Sequence, residues 1–399
     1  MKNFLKRFWA ILLIGLILRI LLASITFHPD VRSTALASGA VLQTKNFDFY
    51  GQSKCVAPNE TLDDLPLSYL ISLPVHFIER PLVNSQTEYA FLNHQNTLYG
   101  NPSLWLYLLY TKLPLIIFDL SVGVLLFFIT KSKRVLIFWL FNPFTLWATI
   151  AIGQFDIYPT FFAVLSFLLL QKGRLNWAAL ALGIGGAIKS GPFLLLPFLL
   201  GTAKNWKERM LVLGLASVPY LLTVTPYLWS SSFRQDALFA PQLSKILFAS
   251  LPISGGAALL IVPTILVFIY IYYLSKRRVL DGFLNFAIIT LLMIFSLTHF
   301  HLQWFLWVIP FLLIKFRGTR ETGIILSFVG IIISLIGMLL MFDSSLSIKL
   351  FSPLIPGLDS INGLAENLTI DEVTFFRNIF ASLFAGSNFY LIWRILRPK

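Results

Sequence analysis

The sequence predicts an all-α integral membrane protein, a helical bundle of about twelve spans, and three observations carry that reading. Hydrophobic residues make up 57% of the 399 positions and charged residues 12%, a balance foreign to ordinary soluble domains. Apolar runs of about 20 residues, enough for a helix to cross a hydrocarbon core of roughly 30 Å, recur along the whole chain. Runs of helical length exclude a β-barrel. Lys and Arg, finally, gather in alternate loops between the runs.

Those basic clusters begin at Lys2, Lys131, Lys172, Lys204, Lys276, Lys315 and Arg394. They hold 20 of the 31 Lys and Arg but only Glu208, Asp281 and Glu321 among the acids, so the positive-inside rule assigns these loops and both termini to the cytoplasm. The formal charge of +13 is thereby accounted for by topology and calls for no nucleic-acid partner. A single cysteine, Cys55, forms no internal disulfide, and no Cys/His spacing points to a metal site. The basic start and apolar core of the first 27 residues read as an uncleaved span, because no small-residue cleavage site follows.

The first span covers about residues 8 to 27 and carries Arg19 near its middle. A guanidinium at that depth needs a partner, and Asp119 in the second span, about 103 to 129, lies at the matching level. Lys112 shares that second span. Between the two, the polar segment from His28 to about Asn101 holds Asp30, Asp48, Asp63 and Asp64 and is too long for a mere connection. Within it, residues 67 to 80 mix apolar and polar side chains at near-helical spacing with a break at Pro74, which predicts short interfacial helices.

Four short spans are expected near 135–151, 156–171, 175–188 and 191–203. Gly and Pro at their ends leave backbone groups for protein or cavity water to satisfy. Later spans are expected near 209–229, 251–274, 282–298, 303–315, 321–342 and 373–393. Residues 1–229, including the 28–101 loop, form an N-terminal membrane module and 230–399 a C-terminal one, joined in a single membrane domain; no internal repeat relates the two.

With this topology the polar residues at span ends fall on one face. They are Asp30 after the first span, Gln154 and Asp156 around the fourth, Lys189 after the fifth, His299, His301 and Gln303 near the ninth, and Arg377 at the outer end of the last. Each has an ordinary structural role available to it. Asp30 reads equally as a solvated loop acid, Asp156 as a helix cap, Lys189 as a lysine snorkelling to headgroups, and the histidines with Trp304 as interfacial residues. Their shared face instead describes an outward polar site beneath the long first loop.

Asn142-Pro143, Gly153-Gln154-Phe155-Asp156, the run Gly-Ala-Ile-Lys-Ser-Gly-Pro at 186–192 and Gln-Trp-Phe-Leu-Trp-Val-Ile-Pro at 303–310 resemble the GT-C membrane glycosyltransferases. Within that superfamily the chain is most similar to mannosyltransferases that use a polyprenyl-phosphate sugar, the GPI mannosyltransferase I group and related bacterial enzymes. The resemblance implies a GT-C bundle with a long first extracytoplasmic loop, and transfer of a hexose, mannose by the likeness, from a polyprenyl-phosphate donor to a glycan or lipid-linked acceptor with inversion.

It further implies that Asp30 is the catalytic base and that Lys189 contacts the donor phosphate; the chemistry of the residues on the shared face adds His299, His301 and Arg377 as further cations and Gln154, Asp156 and Gln303 as substrate-binding groups. His28-Pro29-Asp30 lacks a second acid two residues away, so a divalent metal is left open and no other cofactor is called for. A leaving phosphate needs preorganised cations, and an attacking hydroxyl needs a carboxylate to take its proton. Membrane lipids are the remaining expected partner. A transporter or lipid flippase is the competing reading, although it would place ionisable groups nearer the midplane and show repeated halves; a noncatalytic scaffold is the third.

Overall fold

The computed structural model describes residues 2–275 and 280–397. The basic cluster Lys276, Arg277 and Arg278, with the terminal Lys399, lies outside the described residues. The chain is an all-α membrane protein. Among the described residues five helices are long and apolar enough to cross a membrane, six if one pair bent by 42° counts as a single span, and six shorter apolar helices accompany them.

Helix α1 (Lys2–Ile25) opens the fold. The 28–101 segment is not a loose loop but a packed cap of short helices: α2 (Val31–Thr44), α3 (Phe49–Val56), α4 (Pro66–Leu70), α5 (Leu73–Glu79) and α6 (Ser85–Asn93). Pro74 sits in the first turn of α5, where its missing N–H costs nothing. The cap has its own core, in which Tyr69 packs on Phe49 and Tyr50, and these two meet Tyr227 and Phe233 edge-on or tilted. Such ring pairs add roughly 0.5–1.5 kcal/mol each beyond area burial and tie the cap to the chain that follows residue 224.

Helix α7 (Pro102–Thr130) starts where Asn101 Oδ1 accepts the Ser103 amide at 2.9 Å, with Pro102 in the first helical position. It runs back beside α1. Then α8 (Lys133–Leu140) and α9 (Pro143–Thr145) lead into a π-helical turn at Leu146–Ala151; the bend between them falls at Asn142-Pro143. Next come α10 (Ile157–Gln171), α11 (Leu175–Ile188), a 3-10 turn at Gly191–Leu195, α12 (Leu196–Thr202) and α13 (Trp206–Val224). Helices α11 and α13 approach closely because Gly183 has no side chain: a Cβ there would lie 2.2 Å from the Ala216 carbonyl oxygen.

One expected boundary needs correction. The span anticipated at 251–274 begins only at α14 (Ile261–Ser275), because residues 250–260 form an exposed antiparallel hairpin, β1 (Ser250–Pro252) with β2 (Ala258–Leu260). Gly255 and Gly256, both at positive φ, turn the chain back between the strands. Helices α15 (Leu280–Leu297), α16 (Ile309–Lys315), α17 (Thr322–Leu340) and α18 (Ile370–Leu396) complete the bundle, with a 3-10 turn at Leu302–Trp307 before α16. Between α17 and α18, short turns lie against α7 and the π-helical turn: Trp105 Nε1 donates to the Pro353 carbonyl and Trp147 Nε1 to that of Leu346, both at 2.9 Å.

Candidate functional site

Two breaks in the bundle create the site, and one buried lysine holds them together. At the end of α1 the Thr26 carbonyl has no helical partner, and at the end of the π-turn neither has that of Ala151. Lys112 Nζ, buried in α7, donates to both, at 2.7 and 3.2 Å, and to Thr26 Oγ1 at 3.0 Å. The chain leaves these two points as His28-Pro29-Asp30 and as Gly153-Gln154. Gly153 has φ +84°, and a Cβ there would fall 2.3 Å from Val31 Cγ2, so glycine is what lets this turn press against the start of α2.

Asp30 stands at the N-cap position of α2 yet makes no capping bond with its side chain. Its Oδ2 accepts a hydrogen bond from Gln154 Nε2, and His28 Nδ1 lies 3.5 Å from the same oxygen. The carboxyl is half-exposed into a cavity of about 760 Å³. Burial works against its charge, but the His28 ring beside it and the charge of Lys189 outweigh that and hold its pKa below the usual value. Asp30 is therefore ionised at neutral pH and free to accept a proton.

Lys189 follows the last residue of α11 in extended backbone, which turns its side chain inward rather than to headgroups. Its Nζ lies 3.1 Å from Asp156 Oδ2 and 3.7 Å from Asp64 Oδ1, and 5.0 Å from the Phe155 ring centre. Asp156 is fully buried, and its other oxygen accepts from Trp307 Nε1 at 2.9 Å. The carboxylate that might have capped α10 is spent on orienting Lys189 and Trp307 instead. Asp64 arrives from the cap, fixed by Tyr50 Oη, which donates to its carbonyl at 2.5 Å, and by Tyr69 Oη, which accepts from its amide at 3.1 Å.

Burial pushes the Asp64 carboxyl up to about 7, with Asp63, Asp156 and Asp30 adding to the effect and Lys189 opposing it. A carboxyl raised from 3.8 to about 7 in the folded state contributes stability in full below its unfolded value and loses it as pH climbs through about 7. The stability of the wild type relative to Asp64→Asn is therefore expected to decline between about pH 4 and 7. Thermal unfolding of both proteins across that window measures it; a difference independent of pH would count against the raised value.

Elsewhere in the lining His301 Nε2 accepts from Lys245 Nζ at 2.8 Å, which leaves the ring proton on Nδ1. Burial and the charges of Lys245 and Lys189 hold His301 below its usual pKa, and burial with Lys245 and Arg377 does the same to His299. Trp304 and Trp307 stack with ring centres 5.7 Å apart. The cavity is also lined by apolar and aromatic side chains, among them Phe193, Pro197, Tyr220, Tyr270, Ile294 and Phe295.

Of the residues singled out in the sequence, Asp30, Gln154, Lys189, His299, His301 and Gln303 all line this cavity, and Asp156 reaches it through Lys189. Arg377 does not line it: Nε and Nη2 donate to the Met341 carbonyl at 3.0 and 2.5 Å, and the guanidinium lies over Phe342. Asp64, Lys245 and Trp307 were not singled out; Asp64 and Lys245 were legible only as charges in long loops. Among the described residues no group of three His, Cys, Asp or Glu side chains is arranged to hold a metal ion.

The arrangement sets an ionised, accessible carboxylate in one cavity with two lysines, two histidines and many apolar side chains. Neither a family model, a curated protein nor a solved structure matches this chain.

Proposed function

We propose that the protein is a glycosyltransferase of GT-C type with about twelve spans, which moves a hexose from a polyprenyl-phosphate carrier to a hydroxyl acceptor on the extracytoplasmic face. One observation carries this reading: an ionised carboxylate, Asp30, shares a cavity of about 760 Å³ with cationic groups and many apolar side chains. A prenyl chain fits the apolar side, a phosphate the cationic wall, and a sugar the polar space between them.

In the reaction the acceptor oxygen attacks the anomeric carbon while the bond from that carbon to the phosphate oxygen breaks. The hydroxyl proton passes to Asp30 Oδ, and the electron pair of the broken bond leaves with the polyprenyl phosphate. A single displacement of this kind inverts the anomeric centre. Gln154, bonded to Asp30 Oδ2, fixes the direction of the carboxylate. Cationic groups of the lining stabilise the phosphate as its charge grows. Mannose is the hexose we favour, by the likeness of the motifs at 153–156, 186–192 and 303–310.

The test is incubation of purified protein with labelled polyprenyl-phosphate mannose and membrane glycolipid acceptors. Label is expected in a product of inverted anomeric configuration. A folded protein that binds donor and moves it between leaflets without transferring the sugar would be a flippase, and this reading would fall.

A further inference from the structure

We propose that Lys245, held against His301, is the side chain that binds the donor phosphate, and that Lys189 serves to position the acids around the cavity. The proposal rests on the glycosyltransferase reading and names a binding residue within it. It starts from a comparison of the two lysines in the cavity lining.

Lys189 is already neutralised. Asp156, completely buried, lies 3.1 Å from its Nζ and Asp64 lies at 3.7 Å, so a phosphate arriving there would meet an ammonium whose charge Asp156 already balances. It would also bring its own negative charge toward both. Lys245 has no such partner. Among the described residues no carboxylate pairs with it, and its contacts are the neutral acceptor nitrogen of His301 at 2.8 Å and the Trp304 ring at 5.8 Å. A cation solvated only by an imidazole and a ring face has most of its charge left for an anion.

The surroundings match a lipid phosphate. His301 touches Lys245, and the His299 ring lies 6.4 Å from that of His301. The 3-10 helix at Pro241–Leu247 that carries it lies against α14, and Ile246, Tyr270 and Ile294 continue the lining from there as apolar surface. A phosphate at Lys245 therefore has its prenyl chain beside apolar side chains and its sugar toward Asp30. Trp304 lies within 6.0 Å of Lys189 and 5.8 Å of Lys245, so the two ammoniums flank one indole and the acid-bound lysine borders the site without holding the phosphate alone.

The experiment measures binding of polyprenyl phosphate lacking sugar, and of the uncharged polyprenol, to the full-length protein in lipid nanodiscs. Lys245 is only partly buried on a short turn, so Lys245→Ala leaves the core intact. Lys245→Ala is expected to weaken polyprenyl phosphate binding by roughly tenfold or more, as for loss of a charge-assisted bond. Polyprenol binding should be unchanged, and Lys245→Arg should recover part of the loss. Unchanged phosphate affinity in Lys245→Ala would overturn the assignment, as would an equal loss for polyprenol. Wild-type protein that binds polyprenol and polyprenyl phosphate equally would instead overturn the phosphate-donor reading, and this proposal with it.

Discussion

Replacing Asp30 by Asn is expected to lower kcat by roughly 100-fold or more while the donor still binds. Asn keeps the shape of the side chain, and its amide can turn to keep a partner in Gln154, so the geometry at the start of α2 survives. What disappears is the basic oxygen. Because Asp30 is held below its usual pKa, it is a weak base that is always in the charged form at neutral pH, and its effect belongs to the transition state, where the acceptor proton is moving, more than to ground-state binding. The measurement is single-turnover transfer with saturating donor, together with donor affinity. If transfer survives at the wild-type rate, Asp64 is the acid to test next. It faces the same cavity with a pKa raised to about 7, whereas Asp156 is sealed against Lys189 and Trp307.

How much of this was readable beforehand follows the range of the interactions. Span positions depend on local hydropathy, and the expected segments near 103–129, 156–171 and 175–188 match α7, α10 and α11 within a few residues. The hairpin at 250–260 escaped because Leu259 and Leu260 run without a break into the apolar start of α14; Gly255-Gly256 was the signal that separated them.

Depth along a span can also be read, which is why Arg19 and Asp119 could be paired across a hundred positions. No such ruler applies to loops. The Lys189–Asp64 contact joins a helix end to a cap whose folding depends on ring packing among Tyr50, Tyr69 and Tyr227, and no spacing in the chain encodes that. Lys245 meets His301 for the same kind of reason, through a turn seated on α14. Arg377 was assigned by its position on the last helix alone, and the free Met341 carbonyl at the end of α17 claims it instead.

The largest effect on stability is expected at Arg19 and Asp119, both completely buried in neighbouring spans. Arg19 Nε donates to Asp119 Oδ2, and Nη1 donates to the carbonyls of Gly15 at 2.9 Å and Leu140 at 3.0 Å. Leu140 ends α8, so its carbonyl would otherwise be an orphan in an apolar setting. One guanidinium thus joins α1, α7 and the bend that leads to Gly153 and Gln154. Arg19→Ala or Asp119→Ala each leaves an uncompensated buried charge and is expected to cost about 3–5 kcal/mol. The double variant Arg19→Met with Asp119→Leu should recover most of that loss, because two apolar side chains of similar volume need no partner. Activity should recover less than stability, since the Leu140 carbonyl stays unpaired and the Gln154 turn that aims Asp30 is no longer tied to α1. Unfolding midpoints in detergent and transfer rates, measured on the same four proteins, separate the two effects. Single variants as stable as the wild type would show that the pair does not hold these helices together.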